Sequence, residues 1–150
     1  MDEHHTDAVA IGKTVCAGKV GGYSFLLAEP LSFWGGYDVS RGVVIDQHHP
    51  DCGALLAGRI VLMKRAKGSS SSSSVLAEAV RRGTAPLALV MREPDLITAV
   101  AAMVAEDLYG RQLPIAIVEP LLWRTLARHT GLLTLDADSN GTCTFSLDWQ

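Results

Sequence analysis

Apolar residues in the front half of the chain form short runs separated by glycine and proline, a pattern typical of strands. A polar tail is predicted over residues 1–8, and Gly21–Gly22 predicts a turn. The strands predicted in this half cover 8–20, 23–33, 42–46 and 59–65.

From Ser74 onward the apolar period becomes helical. The predicted helices begin near Ser74, Pro94 and Leu121, and the corresponding stop signals are Gly83, Gly110 and Gly131. Apolar strands are predicted over 85–91 and 113–119, and Asn140–Gly141 predicts a closing hairpin. The second helix has an apolar stripe that we assign to the core, formed by Leu96, Val100, Met103, Val104 and Leu108.

This order of elements predicts an α/β fold. Strand and helix alternate from 59 to 119, which implies a parallel region, and the early strands and final hairpin add antiparallel pairing. We therefore expect one domain over 1–150, with a mixed sheet and helices on one side of it.

Composition and charge narrow the functional classes. Hydrophobic residues make up 48% and charged residues 19% of the 150 residues, which is globular composition. A net charge of -3 without a basic block argues against nucleic acid as a partner. The first ten residues lack an apolar core and no apolar stretch reaches membrane-spanning length, so we expect no secretory signal and no membrane partner. Three widely spaced cysteines fit reduced cytoplasmic thiols.

Six consecutive serines, 69–74, follow Lys67–Gly68. Such a run is usually a flexible linker. Here, however, a predicted strand precedes it and a predicted helix follows, and too little chain lies on either side for two separate cores. Free backbone N–H groups and the helix dipole favour an anion at such a helix start. We therefore interpret the run as a binding loop. It contains neither the Walker order of a phosphate loop nor a GxSxG elbow.

Four segments together resemble the small, swivel-domain subunit of the aconitase X family. They are LSFWGGYD, VIDQHHPDCG, KGSSSSSSVLAEAVRRGTAPLALVMREPD and AAMVAEDLYGRQLPIAIVE. The resemblance covers roughly residues 10–120 and implies a swivelling β/β/α fold. This sequence departs from the family pattern at Ala66 and near Ser72, where the family has glycine.

The resemblance also implies a function. Members are hydro-lyases whose large subunit is the partner and carries an iron–sulfur cluster, so this chain is expected to bind no cofactor or metal by itself. In the wider superfamily the first serine after the loop glycine is the catalytic base, and here that residue is Ser69. Gly68, Ser70, Ser71 and Ser73 would then bind a small carboxylate substrate.

Several other residues are candidates for a role. Asp46, His48, His49, Asp51 and Cys52 form a cluster of possible metal ligands, although its spacing matches no zinc pattern, and His49 could instead shape a loop beside the site or the subunit contact. Trp34, beside Gly35 and Gly36, either caps the core or faces the partner or substrate. Asp38 or Asp46 could orient a substrate amine or a partner arginine. Arg92 could grip a carboxylate or form a structural ion pair. The cysteines are expected to be buried and not to bind the cluster.

Three functions follow as hypotheses. The leading one is the small subunit of a cytoplasmic dehydratase that converts cis-3-hydroxy-L-proline to 1-pyrroline-2-carboxylate. The second is the small subunit of mevalonate 5-phosphate dehydratase. The third is a non-catalytic anion-binding or regulatory module of the same fold.

Overall fold

The computed structural model describes residues 5–149, with side chains from residue 10 to residue 148. Within residues 5–149, no helix has the length and apolarity needed to cross a membrane. The strands are β1 (His5–Cys16), β2 (Gly18–Leu26), β3 (Tyr37–Asp38), β4 (Val43–Val44), β5 (Ile60–Leu62), β6 (Ala88–Met91), β7 (Ile115–Ile117), β8 (Leu132–Ala137) and β9 (Thr142–Trp149). The helices are α1 (Phe33–Gly36), α2 (Ser71–Arg82), α3 (Leu96–Tyr109) and α4 (Pro120–Arg128).

Seven of the strands close into a barrel in the order β1, β7, β6, β5, β2, β8, β9. Strands β2, β5, β6 and β7 run parallel to one another, whereas β8, β9 and β1 complete the barrel with antiparallel pairs. The predicted α/β class and mixed sheet are therefore confirmed.

The barrel closes where β1 pairs with β9, from His5 opposite Trp149 to Lys13 opposite Thr142. Residues 5–8, which the sequence assigns to a polar tail, thus belong to a strand whose partner lies at the other end of the chain. Local polarity gave no sign of this distant pairing. The remaining tail residues, 1–4, lie outside the described part of the chain.

The predicted turn at Gly21–Gly22 is wrong. Strand β2 passes through both residues, which pair with Thr134 and Leu133 of β8. A Cβ atom on Gly22 would lie 2.8 Å from Leu87 Cδ1, so glycine here makes room for a neighbouring side chain inside a strand.

Alternate residues of the parallel strands pack into two different cores. Val61 and Leu89 face α2 and α3, whereas Ile60 and Leu62 face the barrel interior. Helix α4 adds Trp123 to the interior cluster. The expectation of helices on one side therefore holds for α2 and α3 but not for α4, which leads from the last parallel strand into the hairpin.

The face of helix α3 that packs against the core is opposite to the predicted one. Its buried residues are Thr98, Ala101, Ala102 and Ala105, whereas Leu96 is 78% exposed. Both faces of α3 are apolar, so periodicity alone could not decide which one is inside. The alanine face is small enough to approach the neighbouring elements closely, and that face is buried.

Candidate functional site

The four parallel strands end at one edge of the barrel, which we call the carboxyl edge. The residues that follow them are 27–32 after β2, 63–70 after β5, 92–95 after β6 and 118–119 after β7. The strand alignment continues into these segments: Leu27 N donates to Leu62 O, Met63 N to Val90 O and Val118 N to Met91 O, each at 3.0 Å. Ligands of parallel α/β sheets usually bind at such an edge.

The serine run lies on this edge and forms the expected strand-to-helix loop. Ser71 begins α2, so four of the six serines are helical and the linker interpretation is wrong. Ser69, Ser70 and Ser71 are exposed. Within residues 5–149, the backbone N–H groups of Ser70 and Ser71 have no acceptor, and the first turn of α2 contains no acidic residue. The helix start is therefore open to an anion.

Gly68 gives the loop its shape. Its φ is +105°, and a Cβ atom there would overlap Ser32 Oγ and lie 2.9 Å from Ser32 Cβ. Among the described residues no side-chain-bearing residue has positive φ, so Ala66 and Ser72 fit the loop without the glycines of the family pattern. Gly68 therefore both supplies the left-handed conformation and permits the close approach of Ser32.

The hydroxyls of two of the serines form hydrogen bonds with other parts of the chain. Ser72 is buried, and its Oγ accepts a hydrogen bond from Trp34 N at 3.1 Å and lies 3.4 Å from Ser32 Oγ. Ser73 Oγ donates to Ile97 O at 2.8 Å. The hydroxyl of Ser73, predicted to bind substrate, thus faces α3. Local sequence gave no signal for the contact between Ser32 and Ser72, because 40 residues separate them.

Ser72→Ala should destabilise the chain by about 1 kcal/mol, because the partly buried N–H of Trp34 loses its acceptor. Ser74→Ala is the matched control in the same helix turn, since Ser74 is exposed, and it should change the free energy of unfolding by less than about 0.5 kcal/mol. Urea denaturation of the two variants measures this difference. Equal stabilities would show that Ser72 does not hold the loop.

The glycine-rich segment beside the serine helix forms one irregular turn. Phe33 is buried and packs edge-on against Tyr37, with ring centroids 5.2 Å apart, whereas Trp34 is 61% exposed. The alternative in which Trp34 caps the core is therefore wrong. Gly35 adopts φ +78° in open space, and Gly36 packs against Leu31. An open groove of about 520 Å³ lies between this turn and the exposed side of α2, lined by Phe33, Trp34, Gly35, Val39, Val75 and Glu78.

The cluster of predicted metal ligands supports segment 27–32 of the carboxyl edge through hydrogen bonds. His49 is buried, with Nδ1 accepting from Asp51 N and Nε2 3.0 Å from Glu29 O. Asp51 Oδ2 in turn accepts from Ala28 N at 2.8 Å. His49 and Asp51 therefore fix the segment that leads into Ser32. No group of three His, Cys, Asp or Glu side chains within the described range is arranged to hold a metal ion.

The two candidate aspartates form turns of their own. Asp46 Oδ1 accepts from His48 N at 2.9 Å. Asp38 accepts from Ser40 N at 2.8 Å and from Arg41 Nε at 2.7 Å, and the Arg41 bond holds the pKa of Asp38 below its usual range. Both carboxylates thus stabilise loops beside the serine helix.

Basic side chains occupy the carboxyl edge near Ser69. Lys64 and Lys67 are exposed in the loop before it. Arg92 lies after β6, where its Nη1 donates to Val118 O at 2.6 Å. Arg92 forms no ion pair within the described part of the chain, and its binding of a carboxylate stays a prediction. The open helix start, which follows the exposed Lys67 in the chain, is therefore the part of the edge suited to a small carboxylate.

The cysteines differ in exposure. Cys143 is buried, which raises the pKa of its thiol to about 12, and Cys16 is half-buried. Cys52 is exposed, so the expectation of a buried thiol is wrong at that position, which lies in the loop that braces the edge.

Known proteins are similar to this chain in sequence and in fold. A family model described as the aconitase X swivel domain matches residues 9–142. Over 106 residues the chain is 46% identical to a cis-3-hydroxy-L-proline dehydratase of Pseudomonas aeruginosa, covering 71% of this chain and 18% of that protein. Over 94 residues it is 35% identical to a phosphomevalonate dehydratase small subunit of Thermococcus sibiricus, covering 63% of this chain and 72% of that subunit.

A solved structure has the same fold. The holo form of Thermococcus kodakaraensis aconitase X superposes with a TM-score of 0.71 at 25% identity, covering 89% of this chain and 95% of that one. The chain spans only 18% of the length of the hydroxyproline dehydratases that it matches, whereas it covers most of the phosphomevalonate dehydratase small subunits.

Proposed function

Because the chain belongs to the aconitase X swivel-domain family, we propose that it is the small component of a hydro-lyase and supplies Ser69 as the general base. The observation that carries the proposal is the position of Ser69, exposed between Gly68 and the open start of α2. A large component, corresponding to the rest of the hydroxyproline dehydratase, would cover this edge and complete the site. The three free cysteines fit a reducing compartment, the cytoplasm.

The proposed reaction is the dehydration of cis-3-hydroxy-L-proline. Ser69 Oγ, as an alkoxide, takes the proton from the carbon that bears the carboxylate. The electron pair of that bond forms the double bond to the neighbouring carbon, whose hydroxyl leaves and is protonated to water. The resulting enamine tautomerises to 1-pyrroline-2-carboxylate.

A serine hydroxyl is a poor base unless its alkoxide is stabilised. In this chain the N–H groups of Ser70 and Ser71, the dipole of α2 and the nearby cations Lys64 and Lys67 would lower that cost. The exposed hydroxyls of Ser70 and Ser71 would hold the substrate carboxylate. The family implies an iron–sulfur cluster on the large component, and its Lewis acidity would stabilise the departing hydroxyl.

Residues around the serine loop have supporting roles. Ser32 and Ser72 fix the loop, and His49 fixes the segment before Ser32. The exposed Trp34 and the groove beside it face outward next to α2, where they would contact the large component or the substrate.

Mevalonate 5-phosphate is the second candidate substrate, because the chain covers 72% of a phosphomevalonate dehydratase small subunit at 35% identity. The higher identity to the hydroxyproline enzyme, 46%, favours the first. Both substrates present a carboxylate to the same loop, so the choice between them depends on contacts from the large component.

The complex co-expressed with its large component should dehydrate cis-3-hydroxy-L-proline with a kcat/KM at least ~100-fold above that for mevalonate 5-phosphate, a ratio typical of discrimination by pocket shape. Product formation followed by NMR measures both reactions. A reversed ratio would establish the phosphomevalonate assignment. Turnover of neither substrate by an intact complex would favour the non-catalytic module.

A further inference from the structure

The outward face of α3 carries a continuous apolar stripe. Leu96, Met103 and Leu108 are 78%, 60% and 68% exposed, and Val100 and Val104 are 36% exposed. Their spacing places all five on one side of the helix, over a length of about 18 Å. We call these five residues the α3 stripe.

The α3 stripe cannot be buried by rotating the helix about its axis. The opposite face, with Ala101, Ala102 and Ala105, is already buried in the core. A helix that is apolar on all sides is normally covered on all sides. Exposed apolar patches of this extent usually mark a binding surface.

The α3 stripe begins at the carboxyl edge, beside the serine loop. Ser73 Oγ donates to Ile97 O at 2.8 Å, and Leu96 is the first residue of α3. A stable contact buries about 800 Å² on each partner, more than the outer face of one 14-residue helix offers. A body that covers the serine loop and continues along α3 would reach that area, whereas self-association through the stripe alone would not.

We propose that the α3 stripe is a docking surface for the large component, continuous with the face that it covers at the serine loop. This inference rests on the proposed function, which requires such a component. The hydroxyproline dehydratase that this chain matches provides it, since the chain accounts for only 18% of that protein.

The stripe also defines the chemistry of the partner surface. Asp107 is exposed and lies on the same side of the helix as Met103, one turn further along. The partner would therefore present an apolar surface with an arginine or lysine opposite Asp107, because an unpaired carboxylate inside a contact is costly.

The test is the affinity between the large component and variants of this chain, measured by isothermal calorimetry or biolayer interferometry. Met103→Glu should raise Kd at least ~30-fold, the effect of losing one central contact. The matched control is Ile11→Glu, which introduces the same charge at a side chain 71% exposed on β1, and its Kd should stay within ~3-fold of wild type. Asp107→Lys should also weaken binding. Thermal unfolding of each variant checks that the fold is kept, as expected for exposed positions.

The outcomes separate this inference from the function on which it rests. Wild-type binding with an unchanged Kd for Met103→Glu would overturn the docking surface and leave the proposed function standing. A loss of self-association by Met103→Glu without effect on the large component would also overturn it, because the occupant would be a second copy. If the wild-type chain does not bind the large component at all, the proposed function itself fails and the docking surface falls with it.

Discussion

Ser69→Ala should lower the turnover of the complex at least ~10³-fold, a typical loss for a general base or a charge-stabilising group. Ser69 is exposed and its hydroxyl has no hydrogen-bond partner within residues 5–149, so its removal should leave the stability of the chain within about 0.5 kcal/mol of wild type. Binding of the large component should also be unchanged. Steady-state kinetics on the purified complex measure the loss.

The neighbouring serines provide the matched controls for this variant. Ser70 and Ser71 are also exposed at the start of α2, so Ser70→Ala and Ser71→Ala test which hydroxyl faces the substrate. We expect each to raise KM with less than ~10-fold effect on kcat, because their backbone N–H groups remain. A 10³-fold loss in either variant, with near-normal turnover by Ser69→Ala, would move the base to that residue.

Gly68→Ala should be the most disruptive single change at the site. It combines two costs, since the new Cβ must adopt φ +105° and must displace Ser32, whose Cβ would lie 2.9 Å away. We expect a loss of about 2–4 kcal/mol in the free energy of unfolding. Turnover should fall at least ~10²-fold, because a displacement of about 1 Å at the base misaligns the reacting atoms.

The Gly53→Ala variant separates the cost of the backbone conformation from the cost of displacing Ser32. Gly53 has a similar φ of +94°, but no atom lies within 4 Å of the added Cβ, so this variant carries the backbone cost alone. We expect it to lose about 1 kcal/mol and to keep its turnover. If urea denaturation gives the same loss for Gly53→Ala and Gly68→Ala, the contact with Ser32 does not constrain the loop.

The serine loop was predictable because its signals are local. A buried strand, one glycine and a following helical period together place Gly68 and Ser69 in a loop between a strand and a helix, and the structure has them between β5 and α2. The roles of Ser72 and Ser73 were not predictable. Six identical side chains look equivalent in sequence, and only the approach of Ser32 and Ile97 determines which of them turn inward.

The errors in the predicted fold arise from contacts between distant parts of the chain, which the local sequence does not report. Periodicity identified an apolar stripe on α3 but could not show that the alanine face is the buried one. The sequence likewise predicted a turn at Gly21–Gly22, which lies inside a strand that pairs with the distant strand β8. The closure of the barrel through β1 and β9 joins the two ends of the chain, and no local pattern reports such pairing.

The most direct test of the account is a titration of a fixed amount of the large component with this chain, with dehydration of cis-3-hydroxy-L-proline as the readout. We predict no turnover by either component alone, and with wild type a rise that saturates at one chain per large component. Ser69→Ala should bind and compete with wild type without restoring turnover. Turnover by the large component alone, or restored by Ser69→Ala to near the wild-type rate, would contradict the claim that this chain supplies the base.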